Sequence, residues 1–146
     1  MKTKLTLVAA AIAALALGTN AQAVDTKRIN QEHKAELEKC KDLKGNAKDV
    51  CKKEADGHKK IAKAEAELKE QDTPKNRQKL AEAKADAQYD VAKEKCDDQK
   101  GDAKSACKKA AKAEHEGAIA QAKKASLSDT KTSETKPKES KTSKKE

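Results

Sequence analysis

Apolar residues in the first half of the chain recur at steps of three and four, the period of one face of an α-helix. The pattern runs in both directions from the Lys44-Gly45 step. One stripe precedes this step and another follows it: Ile29, His33, Leu37, Cys40 and Leu43, then Ala47, Cys51, Ala55, His58 and Ile61. Two antiparallel helices joined near Gly45 would place these stripes face to face.

Glycines and capping residues divide the chain into four predicted helices. Gly45 and Gly101 are predicted helix stops, because glycine adopts the left-handed conformation at a helix C terminus without strain. Asn46 and Asp102 are the predicted N-caps of the helices that follow. The expected helices lie at about residues 26–44, 47–71, 74–100 and 103–125.

Residues 38–55 and 94–111 form an internal repeat, with 12 of 18 positions identical at an offset of 56. Each copy holds two cysteines with ten residues between them, and these cysteines face each other in a helical hairpin. We therefore predict two disulfides, Cys40 to Cys51 and Cys96 to Cys107. The chain-entropy model gives each bond about 3 kcal/mol. Four cysteines allow three connectivities, and pairing between the hairpins stays open.

The predicted fold class is all-α, with two disulfide-stapled antiparallel helical hairpins in a coiled-coil-like or four-helix arrangement. The sequence Asp72-Thr73-Pro74 separates the hairpins, with Thr73 as N-cap and Pro74 as the first helical residue. A Lys/Ser/Thr-rich tail with one leucine in 21 residues is expected to be disordered. The predicted segments are a signal peptide at 1–23, hairpins at 24–72 and 73–125, and the tail at 126–146.

The N terminus has the three parts of an export signal. Lys2 and Lys4 form a positive region, residues 5–17 form a mostly apolar core, and residues 21–23 read Ala-Gln-Ala. The apolar core is shorter than the roughly 20 residues needed to span a bilayer. We expect cleavage after Ala23, a periplasmic or secreted location, and no membrane-spanning segment in the mature chain.

Composition leaves little material for a hydrophobic core. After residue 23, Leu, Ile and Val total 11, Tyr89 is the sole aromatic residue, and alanine dominates the apolar set. Deep ligand pockets need large apolar walls. The sequence also lacks a Cys-x-x-Cys pair, a glycine-rich phosphate loop and a nucleophile with histidine and acid at recognisable spacing. We expect a protein that is not an enzyme.

His33 and His58 are the candidate metal ligands. Each lies seven residues from a cysteine of the first hairpin, so both imidazoles are expected on its inner face. A transition metal could be bound by this pair with nearby carboxylates; the alternative is a polar layer between the helices. The second copy has Tyr89 and Glu114 at the equivalent positions. A four-cysteine metal site is disfavoured, because zinc-binding cysteines usually lie two to four residues apart.

The charge of the chain bears on its partners. After residue 23 there are 32 basic and 25 acidic residues, a net charge of +7, and the two signs are interspersed. Such mixing is typical of solvated helix faces, although a cationic chain could also bind anionic envelope polymers. Nucleic acid is not an expected partner, because aromatic stacking residues are missing. The oligomeric state is not predicted.

The repeated C-x-x-x-K-G-[ND]-A-K-x-x-C-K-K core resembles small exported proteobacterial proteins with duplicated GNAKDVC units. These often carry the label cell envelope biogenesis protein TolA. The resemblance extends through GNAKDVCKKEA, KIAKAEAELK, TPKNR and YDVAKEKCDD, which is most of the predicted helical chain. GDAKSAC replaces GNAKDVC in the second copy. The resemblance implies an exported envelope protein and transfers no catalytic residues. We expect a non-enzymatic periplasmic protein with a structural, stress-related or interaction role in the cell envelope, with envelope proteins or anionic envelope polymers as partners.

Overall fold

The structure is a computed structural model that describes residues 21–134, with side chains described for residues 25–129. The predicted all-α class is confirmed. Most of the predicted signal peptide lies outside the described residues, and its last three residues begin the first helix. The helices are α1 (Ala21–Lys39), α2 (Gly45–Glu70), α3 (Pro74–Cys96) and α4 (Gly101–Glu134), with a short 3-10 turn at Cys40–Asp42 after α1.

The two glycine turns have the predicted backbone conformation, but the helices beside them begin and end at other residues than predicted. Gly45 and Gly101 have φ values of +58° and +56°, in the left-handed region. Each glycine is the first residue of the following helix rather than the stop of the preceding one. The predicted end of α3 at residue 100 is wrong, since α3 stops at Cys96 and the backbone N–H of Gln99 donates to the Cys96 carbonyl at 3.1 Å.

The predicted N-cap role of Asn46 is wrong. Because α2 begins at Gly45, the N-cap position falls on Lys44, which makes no capping hydrogen bond through its side chain. The Asn46 side chain instead donates from Nδ2 to the backbone carbonyl of Glu94 at 2.8 Å. Asn46 therefore links the start of α2 to the end of α3.

The turn between α2 and α3 forms as predicted. Thr73 has an extended backbone, and its Oγ1 accepts a hydrogen bond from the backbone N–H of Asn76 at 3.1 Å. Pro74 occupies the first turn of α3, where its missing N–H leaves no helical hydrogen bond unmade. The side chain of Asn76 also donates to the carbonyl of Gln71 at 2.8 Å, which ties the turn to the end of α2.

The four helices form a single open row. Among the described residues, α1 packs on α2, α2 on α3, and α3 on α4, and no other pair of these helices is in contact. The two hairpins therefore lie side by side, joined through α2 and α3, and do not close into a four-helix bundle. The antiparallel path brings both glycine turns to the same end of the row, and the Thr73 turn lies at the other end.

Alanine, cysteine and one isoleucine form the core of this row. The buried hydrophobic residues are Ile29, Cys40, Ala55, Ala64, Ala85, Ala87, Cys96, Ala111 and Ala122. Small side chains allow the helix backbones to approach closely, most of all at Gly57 of α2. An ideal Cβ on Gly57 would lie 2.8 Å from the Cβ of Ala87 on α3. Close packing of small residues thus joins the two hairpins.

The predicted tail begins too early. Helix α4 continues nine residues past the expected end, from residue 126 to Glu134. Its extension contacts the start of α3, where Nη1 of Arg77 donates to Oδ2 of Asp129 at 3.1 Å. The charged and hydroxyl-bearing residues here are compatible with a helix once a neighbouring helix supplies an ionic partner. The rest of the predicted tail, residues 135–146, lies outside the described residues.

Candidate functional site

The four cysteines pair as predicted, Cys40 with Cys51 and Cys96 with Cys107. The Cα atoms are 5.6 Å apart in the first pair and 5.7 Å in the second. In each bond the first cysteine is buried and the second is partly exposed. Both disulfides lie at the glycine-turn end of the row, so one end of each hairpin is covalently closed.

Polar contacts connect the two disulfide ends. The Asn46 to Glu94 hydrogen bond crosses from α2 to α3, and so does an ion pair between Lys95 and Glu54 at 3.5 Å. In the second hairpin, Asp97 accepts from Lys104 at 2.8 Å and from Lys108 at 2.6 Å. The hydrogen bond from Lys104, and then that from Lys108, lowers the pKa of Asp97 to about 2.

Each of the candidate ligands His33 and His58 hydrogen bonds a carboxylate of the neighbouring helix. Nε2 of His33 lies 2.7 Å from Oδ1 of Asp56, and Nδ1 of His58 lies 3.0 Å from Oε1 of Glu36. Nδ1 of His33 is 3.5 Å from the ammonium of Lys59. His33 therefore contacts Asp56 and Lys59, which lie two residues before and one residue after His58.

Among the described residues, no group of three or more His, Cys, Asp or Glu side chains is arranged to hold a metal ion. The second carboxylate oxygen of Glu36, Oε2, is buried and has no hydrogen-bond partner there. His58 itself is well exposed, with 66% of its side chain accessible. The metal-binding hypothesis stays a prediction, with the His58 and Glu36 contact as its nearest geometric support.

The second hairpin has a histidine contact that the sequence pattern did not single out. Nε2 of His115 on α4 lies 2.6 Å from Oδ1 of Asp86 on α3. The His115 ring stacks on Tyr89, with centroids 4.8 Å apart, and the Lys93 ammonium lies 5.0 Å from the Tyr89 centroid. In both hairpins the outer helix thus contributes a histidine and the inner helix contributes an aspartate.

Lys60 of α2 lies close to three aspartates, on the face of the row that carries Asp56 and Asp86. Its ammonium donates to Oδ2 of Asp90 at 2.9 Å, and this hydrogen bond raises the pKa of Lys60 despite the opposing effect of burial. Asp56 and Asp86 add attraction. Burial acts most strongly on Asp90 and tends to raise its pKa, but Lys60 and the nearby Lys93 and Lys53 together lower it.

A basic groove of about 320 Å³ lies beside these contacts, between α2 and α3. We call it the lysine groove, and it is lined by Lys53, Asp56, Lys59, Lys60, Lys63 and Asp90. Both of its carboxylates are already engaged, Asp56 by His33 and Asp90 by Lys60. The positive charge of the groove is therefore only partly compensated.

A second groove, of about 350 Å³, lies between the same two helices on the opposite face of the row. Its lining includes Gly57 and Ile61 of α2 and Ala87 and Val91 of α3. The helical period places Ile61 on the other side of α2 from Asp56 and Lys60. We call this the apolar groove. The row therefore presents one apolar and one cationic surface along its two central helices.

Comparisons with known proteins identify no relative. The chain matches no protein-family model, no curated protein sequence and no solved structure. Within the described residues, helix length and hydropathy reveal no segment that could cross a membrane. Two disulfides in a chain of this size are typical of an oxidising, extracytoplasmic compartment.

Proposed function

We propose that this chain is a non-enzymatic periplasmic or secreted protein with a structural, stress-related or interaction role in the cell envelope. The observation that carries the proposal is the open row of helices. A single layer leaves both faces of α2 and α3 accessible, whereas a closed bundle would bury one of them. Grooves on both faces give this layer two surfaces for an envelope partner.

Two features support the compartment in this proposal. The first 23 residues have the pattern of an export signal. The two disulfides close hairpins that have little apolar core to stabilise them, so an oxidising environment favours the fold. The resemblance to exported proteins labelled TolA points to the same location.

Site-specific photocrosslinking in intact cells tests the interaction role. A photoreactive amino acid is placed at Gln88 on the apolar face, at Lys63 on the lysine groove, or at Gln31 on the outer side of α1 as a control. We expect a discrete adduct with an envelope component from Gln88 or Lys63 and none from Gln31. Equal adducts from all three positions, or none from the two faces, would overturn the proposal.

A second candidate function, a cationic binder of envelope polyanions, is favoured by the lysine groove. The whole chain has a computed isoelectric point near 9.3, but charge spread along a chain gives only weak and non-selective attraction. The groove concentrates part of that charge between two helices. A localised basic site is what distinguishes a polyanion-binding protein from one that is merely cationic.

A further inference from the structure

We infer that the lysine groove binds a linear chain of phosphate groups, in solution rather than on a membrane surface. This inference rests on the proposed interaction role and gives its partner a chemical class. The groove runs along α2, and its lysines are distributed along the helix axis. Ten residues separate Lys53 from Lys63, which corresponds to about 15 Å of helix rise.

Three of the four ammonium groups in the groove make no ion pair with a carboxylate among the described residues. Among the described residues, Lys53 and Lys63 make no hydrogen bond or ion pair, and Lys59 contacts only Nδ1 of His33. The fourth, Lys60, is bound to Asp90. These three charges occupy the start, the middle and the end of the groove, an arrangement that suits an elongated ligand with several negative groups.

The two carboxylates of the groove cancel only part of the charge of its four lysines, and each already has a partner. Asp56 is held by His33, whose Nδ1 accepts from Lys59 when Nε2 donates to Asp56. Asp90 is held by Lys60 at 2.9 Å and lies 3.9 Å from Lys93.

The charge density of the ligand decides between phosphate and carboxylate in this groove. The cationic donors of the groove are lysine ammonium groups, without the planar fork by which arginine matches both carboxylates and phosphates in shape. Lysine acts as a point charge with three rotatable donors, so it selects by charge density more than by shape. A chain of phosphates carries more charge over 15 Å than a polymer with one carboxylate per sugar unit.

Calorimetric titration of the full, disulfide-bonded chain with inorganic tripolyphosphate tests the site. The triple variant Lys53→Gln, Lys59→Gln, Lys63→Gln is compared with Lys109→Gln, Lys123→Gln, Lys124→Gln, which removes the same charge from exposed positions on α4. We expect the groove variant to bind about tenfold or more weakly and the control about twofold. Equal weakening by the two triple variants would mean that the attraction is diffuse, and it would overturn the proposal that the groove is the binding site.

Two further experiments test the position of the site and the source of the phosphate. Asp90→Asn removes a negative charge and frees Lys60, so it is expected to tighten binding a few-fold; weaker or unchanged binding contradicts the groove. Vesicles carrying phosphorylated lipid are titrated at the same phosphate concentration. Binding to vesicles without binding to tripolyphosphate would overturn a soluble linear ligand. None of these failures affects the photocrosslinking result, so the interaction role is tested separately.

Discussion

Gly57 of α2 and Ala87 of α3 bring the two hairpins so close that no side chain fits between them. A Cβ at Gly57 would lie 2.8 Å from the Cβ of Ala87 and 3.4 Å from its Cα. The Cα belongs to the backbone of α3 and the Cβ is bonded directly to it, so neither atom can move aside as the end of a flexible side chain would. Gly57 therefore sets the distance between the inner helices and the depth of the groove above them.

Gly57→Ala is expected to destabilise the protein. Overpacking at this contact costs about 1–3 kcal/mol, and the higher helix propensity of alanine returns up to about 1 kcal/mol. Chemical denaturation followed by circular dichroism measures the difference. Gly117→Ala is the matched control on α4, because nothing lies within 4 Å of its added Cβ. It is expected to stabilise by about 0.5–1 kcal/mol. Stabilisation by both substitutions would contradict the close contact.

Loss of either disulfide is expected to reduce stability by about 3 kcal/mol. The variants are Cys40→Ala with Cys51→Ala, and Cys96→Ala with Cys107→Ala. We expect the second pair to matter more, because the first hairpin also buries Ile29, whereas the second buries only alanines around its bond. Thermal unfolding with peptide mapping of the remaining disulfide measures this order. Equal losses would show that Ile29 adds little beyond alanine.

Asp97 is expected to give the second hairpin an acid-dependent stability. Its pKa is lowered to about 2 by Lys104 and Lys108, so its folded pKa is below that of the unfolded chain. The contribution is complete above about pH 4 and is lost as the pH falls through about 2. Asp97→Asn should flatten the stability profile in this window. Asp98→Asn removes a charge from the same turn and serves as the control. If both substitutions flattened the profile equally, the acid dependence would come from the overall charge of the turn and not from the contacts of Asp97.

Arg77 is expected to hold the end of α4 in its helical conformation. Its guanidinium donates to Asp72 at 2.7 Å and to Asp129 at 3.1 Å, and these hydrogen bonds raise the pKa of Arg77 above its usual value. Arg77→Ala should speed amide hydrogen exchange around residues 126–129. Arg28→Ala, which breaks an exposed pair within α1, should leave that region unchanged. Unaltered exchange in Arg77→Ala would show that α4 needs no support from α3.

Zinc is expected to leave the thermal stability of the protein unchanged at micromolar concentration. The reason is that each histidine already hydrogen bonds a carboxylate of its own, His33 with Asp56 and His58 with Glu36. A thermal shift series on the wild type, His33→Ala and His58→Ala measures it. Stabilisation of the wild type that both variants abolish would instead establish the metal site.

Most of the correctly predicted features of the fold come from short-range patterns in the sequence. The period of three and four, the left-handed glycines, the Thr73 cap and the cysteine pairing are local properties, since each depends on residues within a few turns of helix. They determined the all-α class, the two hairpins and both disulfides. The predicted ends of α1 and α3 failed because the backbone tightens into short turns before Gly45 and Gly101.

The candidate site was less accessible to sequence reasoning, because its contacts join helices distant in sequence. Asp56 and His33 are separated by 23 residues, Asp90 and Lys60 by 30, and His115 and Asp86 by 29. The cysteine spacing predicted His33 and His58 together on the inner face of the first hairpin. In the structure His33 instead contacts Asp56 and Lys59. The lysine groove also needs Asp90 of α3, so it was not predicted.

Short-range features of the sequence suffice to predict stapled helical hairpins, because helical period, turn residues and cysteine spacing act over short distances. The arrangement of the hairpins side by side in one open layer could be seen only in the folded chain. That outcome depends on the fit between Gly57 and Ala87, on Asn46 reaching the carbonyl of Glu94, and on Arg77 binding Asp129. Alanine-rich stripes are compatible with several helix arrangements, and close steric contacts and long-range polar bonds select one of them.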